Sequence, residues 1–476
     1  MKRLLSRYGS VFVLLLLCIY YSIVTISEHQ PITPAAGRKL ARTIAATHEP
    51  AAAVVVIVGE SNQDRAFAEA VADELQNQGA QVLETVTART PADARRALSR
   101  IASANPRIDA VATHDPGTKW GPLQPRGLDR LAAEFPSVAG TRVYKPQSYR
   151  WPSFLTRGNL LNVINQNADI AIIAIGMTMV IITGGIDLSV GSVLALSGVV
   201  TAILLQTWAG GGNASPVGMI LAPLAAVGLC TLCGVGTGAV TAIARVPAFV
   251  VTLAVMMIGR GLALILAVGY QRSLTEGASA TPEAIRIEAA GFNDSGEPFG
   301  FAELGNGTLM GVPNPIWLML ALYLAAHVLM TRTRLGRYIY AVGGNPRAAH
   351  LSGISVTRIA LFVYAVCAAL AGLAGVLDAS RFVGGRPNAG ELYELKVIAA
   401  VVVGGTSLSG GEGRVFGTLV GALIIAVIEN GLNMSGVASY EQKVVFGGLI
   451  LAAALLDQLK QRLSAFASPP SPTRSS

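Results

Sequence analysis

Charge is what this sequence most lacks. Of its 476 residues only 13% are Asp, Glu, Lys or Arg, against about a quarter in soluble domains. With 52% of residues hydrophobic, a water-soluble globular chain and a disordered one are both excluded. Cysteine is equally scarce. Cys18, Cys230, Cys233 and Cys367 all lie inside apolar runs, which excludes a secreted scaffold held by disulfides. The Cys-x-x-Cys spacing at 230 and 233 lacks the polar surroundings and further ligands of a redox or metal pair. Packing thiols are expected there, and neither a metal site nor a cofactor. Catalytic strings are missing as well: the five histidines are scattered, and H-E-x-x-H, G-x-S-x-G and Walker A patterns do not occur. No catalytic residue is expected, and the chain does not hydrolyse nucleotide itself. Gly59-Glu60-Ser61, at the end of a strand-like run, lacks the further glycines of a dinucleotide fingerprint.

What is present is apolar sequence in span-sized blocks. Crossing about 30 Å of hydrocarbon takes roughly 20 apolar residues in helix, and from Leu188 to Ala244 no charged residue interrupts the chain. The 52 glycines fit helices packed closely in lipid. Spans are expected at 11–26, 168–183, 188–207, 217–243, 248–269, 314–331, 357–379, 394–409, 415–434 and 442–459. The fold class is therefore an α-helical polytopic membrane protein of about ten transmembrane helices, with an inserted small α/β domain. Residues 1–27 form the first helix, 28–150 the insert, 151–460 the main transmembrane domain and 461–476 a disordered cytoplasmic tail. The first run could be a cleaved signal peptide, but Ile26-Ser27-Glu28-His29 follows it without a small-residue cleavage site, so a retained helix is expected.

The net charge of +8 needs no nucleic-acid partner, because membrane proteins collect Lys and Arg in their short cytoplasmic loops. Lys2, Arg3 and Arg7 hold the N-terminus inside. Arg332, Arg334, Arg337, Arg347 and Arg358 fall between the sixth and seventh spans, which the alternation of ten spans also places inside. An even number of spans returns the C-terminus to the cytoplasm. One crossing delivers residues 28–150 to the outer side. There the rhythm changes: Val54–Val58 reads as a buried strand, 63–78 as a helix closed by Gly79, and 81–86 as a strand. A helix over 91–104 and a strand over 108–112 follow. This βαβαβ pattern predicts a small parallel sheet flanked by helices.

Polar residues inside or beside the spans are the candidates for function, because a charge there needs a partner or a wet cavity. Asp187, with Ser189, lies in Gly184–Gly191 between two spans; it can cap the next helix or stand beside a transport path. Arg260 is mid-span between glycines, suited to carbonyl or carboxylate partners or to solute. Glu429 and Asn430 end an apolar run, as an interfacial anchor or as cavity lining. The run Gly404–Gly411, containing Thr406 and Ser407, suits a broken or re-entrant segment in place of a continuous helix over 394–409. On the cytoplasmic side, Gly343-Gly344-Asn345-Pro346 makes a strong turn. Pro346 then opens a short helix through Arg347, Ala348 and Ala349 that stops before Gly353. This surface helix is either a docking element or only a tidy loop.

Three strings in order, GMTMVIITGGIDLSVGSVLALSG, LGRYIYAVGGNPRAAHLSGISV and GELYELKVIAAVVVGGTSLSGGEGRVFGTLVGALI, resemble the permease subunits of bacterial ABC importers for ribose, xylose, galactose and related monosaccharides. The resemblance covers roughly 151–460 and the first helix. It implies an inner-membrane homodimer in the lipid bilayer that receives sugar from a periplasmic binding protein and is driven by cytoplasmic ATP-binding subunits. It maps the family's coupling helix onto Asn345–Gly353. The alternatives are an ABC permease for another small polar solute and, behind it, an ion-coupled secondary transporter, for which few intramembrane ionisable groups are visible. The sequence departs from the family in the insert of about 120 residues after the first helix and in a long outer loop over 270–313. The insert's opening is similar to the first lobe of periplasmic sugar-binding proteins. It is too short for a two-lobed clamshell, so a docking or gating role at the outer mouth is expected.

Overall fold

The computed structural model describes residues 2–467 except 50, 116, 275–282, 294–295 and 297, with side-chain detail over 9–452 and at Leu455. Residues 468–476 of the expected tail lie outside the described residues. The chain separates into two compact units: Ile26–Ser153, and the remainder of the chain on either side of it. Helix α1 (Lys2–Val24) opens the larger unit.

Within the smaller unit, β1 (Ile26–His29) is followed by α2 (Pro34–Thr47), β2 (Ala53–Val58), α3 (Asn62–Asn77), β3 (Gln81–Thr87) and α4 (Pro91–Ala104). Then come β4 (Ala110–Ala112), α5 (Pro125–Glu134), β5 (Arg142–Tyr144) and β6 (Tyr149–Pro152). Four strands form a parallel sheet in the order β3-β2-β4-β5. All six residues of β2 are buried, as a central strand covered on both faces requires. Alternate residues feed opposite cores: Val55 and Ile57 join Leu98, Ile101 and Leu131 from α4 and α5. Val54, Val56 and Val58 join Leu40, Ile44, Phe67 and Val71 from α2 and α3. Both α3 and α4 start with a capping box, Ser61 with Asp64 and Thr90 with Asp93. The sequence pattern does not mark β5, because three residues are too few for a periodic signal. The first and last strands of the unit, β1 and β6, pair antiparallel, so the chain enters and leaves at one ribbon. Ser27, His29 and Ser153 hydrogen-bond to one another across its base.

In the larger unit α6 (Arg157–Gln166) and α7 (Ala168–Ile182) form one span bent by 45°. Helices α8 (Val190–Thr207), α9 (Pro216–Ala242), α10 (Ala248–Leu274), a short α11 (Ala302–Asn306) and α12 (Asn314–Arg332) follow. Next are α13 (Arg334–Gly344), α14 (Pro346–Leu351), α15 (Val356–Arg381), α16 (Tyr393–Val403), α17 (Val415–Met434) and α18 (Ser439–Ala467). Among the described residues six helices are long and apolar enough to cross a membrane, namely α8, α9, α10, α12, α15 and α17, and the bent pair makes seven. The difference from ten lies in α1, α16 and α18. The described apolar part of α1, Gly9–Val24, is short. Helix α16 has 11 residues, about 16 Å of rise, and ends at Gly404; the expected span over 394–409 is corrected to a half-length helix, because Gly404 and Gly405 break it. Helix α18 continues to Ala467, seven residues into the stretch expected as a disordered tail.

The centre of this unit is α7, all 15 of whose residues are buried, with α15 packed against α7, α8 and α9. Glycines set these approaches. A side chain on Gly176 would meet the Cys367 backbone at 2.5 Å, and one on Gly238 would meet Leu361 at 2.9 Å. Outward-facing positions stay apolar, as with Leu232, Ile265 and Leu324, which lipid favours as a solvent.

Candidate translocation path and coupling loop

Between α15 and α16 the chain is neither helix nor sheet, apart from a two-residue ladder of Gly384–Gly385 with Ile285–Arg286. This segment, Phe382–Leu392, descends along α8. A side chain on Gly385 would meet the Gly198 carbonyl at 2.6 Å, and one on Gly390 would meet the Gly191 carbonyl at 2.7 Å. Seven residues of α8 separate those contacts, a drop of about 10 Å. At the lower end Ser192 packs on Gly259, close to the middle of α10. Irregular backbone thus lies near mid-membrane depth, which is tolerated only where protein buries it or water reaches it. Left-handed backbone at Val383, Gly390 and Leu392 makes the turns that a continuous helix would forbid.

Three arginines hold the segment. Arg381 donates to Asp169 at 2.8 Å and to the Asn165 carbonyl at 2.9 Å. Arg386 grips Asp378 with two bonds, at 2.5 and 3.3 Å, and its guanidinium stacks 3.6 Å from the Phe382 ring centre. Arg260 donates to the carbonyls of Pro387 and Ala389 at 2.7 and 2.8 Å. A charge left unpaired at this depth costs about 2.5–3.5 kcal/mol or more. The carboxylates and carbonyls are therefore the condition for having these arginines here at all. Lower down, Lys396 on α16 pairs with Glu429 on α17 at 2.9 Å.

The residues singled out from sequence fall in several places. Asp187 is 2% exposed and accepts from the backbone N–H and hydroxyl of Ser189 at 2.9 and 2.6 Å, bracing the start of α8 as a local cap does. Ser189 is itself buried and its carbonyl accepts from the Ser192 hydroxyl. Arg260 takes the carbonyl partners described above. Asn430 exchanges reciprocal amide hydrogen bonds with Asn159 on α6, at 3.0 and 3.1 Å. Thr406 is buried against Gly413, and Ser407 turns the 404–414 loop, its N–H donating to the Glu412 carbonyl at 3.1 Å. That loop reaches the other end of α7: the Gly411 N–H donates to the Ile182 carbonyl at 2.8 Å, and the Tyr340 hydroxyl to the Gly413 carbonyl at 2.8 Å. Sequence reasoning passed over Asp169, Asp378, Arg381 and Arg386. The signal was available, since a carboxylate within an apolar run requires a cation, and Arg381 ends α15 with Arg386 five residues beyond it.

The loop over 343–353 has a definite build. Gly343 sits against the Ile182 carbonyl, where no side chain fits. Asn345 caps α14, its side-chain oxygen accepting from the Ala348 N–H at 3.0 Å, with Pro346 in the first turn. Gly353, at φ +81°, ends the helix, and the Ile354 N–H returns to the Ala349 carbonyl at 3.0 Å. Ala349 is buried and holds the helix down, while Gly344, Arg347, Ala348 and His350 face outward and Leu351 is 87% exposed. This is a six-residue helix, capped at both ends, presenting an apolar side chain among basic ones.

Residues 159–454 match the family described as branched-chain amino acid transport system, permease component, and the chain belongs to it. The ribose import permease protein of Escherichia coli is 44% identical over 310 residues, 65% of this chain and 88% of the relative. That of Bacillus subtilis is 42% identical over 309 residues, 65% and 87% of the two chains. The xylose transport system permease protein of Escherichia coli is 35% identical over 354 residues, covering 66% and 88%. No solved structure matches the chain. The protein is a multi-pass permease component of the inner membrane, a transport subunit and not an enzyme.

Proposed function

We propose that this chain is the membrane-spanning subunit of an ABC importer that carries a monosaccharide of the ribose or xylose class inward, powered by ATP hydrolysis on separate cytoplasmic subunits. A periplasmic binding protein delivers the sugar, and two copies of the chain enclose the path. Both termini are cytoplasmic, ten segments cross the membrane, one of them as the irregular stretch Phe382–Leu392 continued by the half-length α16, and residues 28–150 stand in the periplasm as a docking or gating element. The named substrates of the relatives support the choice of sugar. The observation that carries the mechanism is α14, a capped helix with Leu351 outward, tied through Gly343 to the end of the buried α7. An ATP-binding partner that grips α14 differently in its open and closed states shifts the helix arrangement with it, because a partner moves an equilibrium only through differential binding.

Replacing Asn345–Ala349 with a Gly/Ser linker tests this. ATP hydrolysis by the assembled importer should persist while sugar uptake in proteoliposomes falls to background. Uptake at the parent rate would overturn the coupling role, and uptake driven by an ion gradient without ATP would overturn the importer reading.

A further inference from the structure

The descending segment Phe382–Leu392 exposes polar side chains where a lipid-facing surface would not. Asn388 and Glu391 are exposed, and neither makes a hydrogen bond or ion pair among the described residues. They flank Ala389 and Gly390, which lie against Arg260 and Gly191 near the middle of α10 and at the start of α8. Arg386, earlier in the same segment, is partly open although bound to Asp378, and Glu394 in the first turn of α16 is half-buried. The rest of α16 is anchored by buried Val397, Ala399, Ala400 and Val401. A carboxylate and a primary amide open at mid-membrane depth must face water or a polar ligand, because hydrocarbon satisfies neither.

We infer that this open face, formed by Asn388 and Glu391 with Arg386 and Glu394 at its edges, is the mid-membrane contact surface for the transported sugar, and that Arg260 is its positioning residue. The inference rests on the importer reading above and adds a location to it. The chemistry fits a neutral polyol. An amide supplies donors and an acceptor, carboxylates accept from vicinal hydroxyls, and a guanidinium donates in a planar fork. Arg260 sets the face without joining it, since its two bonds go to the Pro387 and Ala389 carbonyls on either side of Asn388. The arrangement leaves Asp187, Ser189 and Thr406, all buried, as bracing around the path.

The test is labelling of Asn388→Cys and Glu391→Cys in the assembled importer in proteoliposomes, using a charged, water-soluble thiol reagent. The parent chain, whose four cysteines set the background, and Leu324→Cys on the exposed apolar face of α12 are the references. Both segment variants should label faster than Leu324→Cys. Ribose, xylose or galactose delivered by the loaded binding protein should slow that labelling, about tenfold when nine-tenths of the sites are filled. In the Asn388→Cys background, Arg260→Gln should abolish sugar protection while labelling continues, and Arg260→Lys should restore part of it. Labelling no faster than Leu324→Cys overturns the inference. So does labelling that none of the three sugars slows in a cysteine variant that itself still takes up sugar with ATP, an outcome that leaves the importer reading intact. A variant that has lost uptake while the parent retains it supports the contact. Failure of the parent to take up any of these sugars removes the reading and the inference together. Unchanged protection in Arg260→Gln overturns the positioning role.

Discussion

The inserted unit and the membrane unit use charged residues in opposite ways. In the insert, the paired arginines lie on the outside: Arg95, 3.3 Å from Glu134, is 57% exposed and its partner 54%. In the membrane unit Arg381 and Asp169, 2.8 Å apart, are 13% and 1% exposed. Glycine serves both purposes in both units: Gly79 and Gly140 in the insert sit at turns with φ +80° and +82° and open space around them, while Gly37 in α2 lies against the Phe67 carbonyl much as Gly176 lies mid-helix against the Cys367 backbone. The insert puts charge into water and apolar residues into its core. The membrane unit has no water outside, so its polar contacts move inward and its helices need small residues to approach one another.

That contrast can be broken by experiment, the largest effect first. Asp169→Asn should destabilise the purified permease by about 3–5 kcal/mol, because it strands a buried guanidinium, and Asp169→Asn with Arg381→Met should recover part of the loss. Arg95→Ala in the insert should cost only about 0–1 kcal/mol. Equal shifts in the two melting curves would show that burial is not what separates the pairs. Next, Gly176→Ala should cost about 1–3 kcal/mol by overpacking α7 against α15, and Gly79→Ala about 1 kcal/mol through its left-handed backbone alone. Adding Cys367→Gly should not rescue the first, because the contact at 2.5 Å is with the Cys367 backbone and not with its side chain.

The smallest effect is electrostatic and confined to the insert. The Thr90 hydroxyl, with Arg96 beside it, holds the Asp93 carboxyl down at about 2, below its ordinary 3.8. A depressed folded value stabilises the folded state above the unfolded value, and that contribution fades as pH falls from about 4 through about 2. Protection factors of the amides at the start of α4, corrected for the intrinsic pH dependence of exchange, should therefore fall across that window in the parent. In Asp93→Asn they should be already lowered and should not show that step.

Much of the insert was readable in advance because its elements are periodic. The run Val54–Val58 can only be a strand covered on both faces, and Thr90 with Asp93 announces the start of α4. Helix α14 was readable for a similar reason, since Asn345, Pro346 and Gly353 are local signals for a cap, a first turn and a stop. The proposed sugar-contact surface was not. Asp187 and Thr406 stood out as polar residues among apolar ones, and the structure buries both. Asn388 and Glu391 did not stand out, because they follow the apparent end of a span.

By itself the sequence determined where the apolar blocks lie, where the soluble unit is inserted and how α14 begins and ends. Hydropathy, periodicity and capping act over a few neighbouring residues, so they are written locally. Only the tertiary structure decided that Phe382–Leu392 turns down along α8, that Arg260 meets the Pro387 and Ala389 carbonyls more than a hundred residues away, and that Arg381 closes on Asp169. Those outcomes depend on glycine contacts between helices distant in sequence, and hydropathy is blind to which helix will be the neighbour.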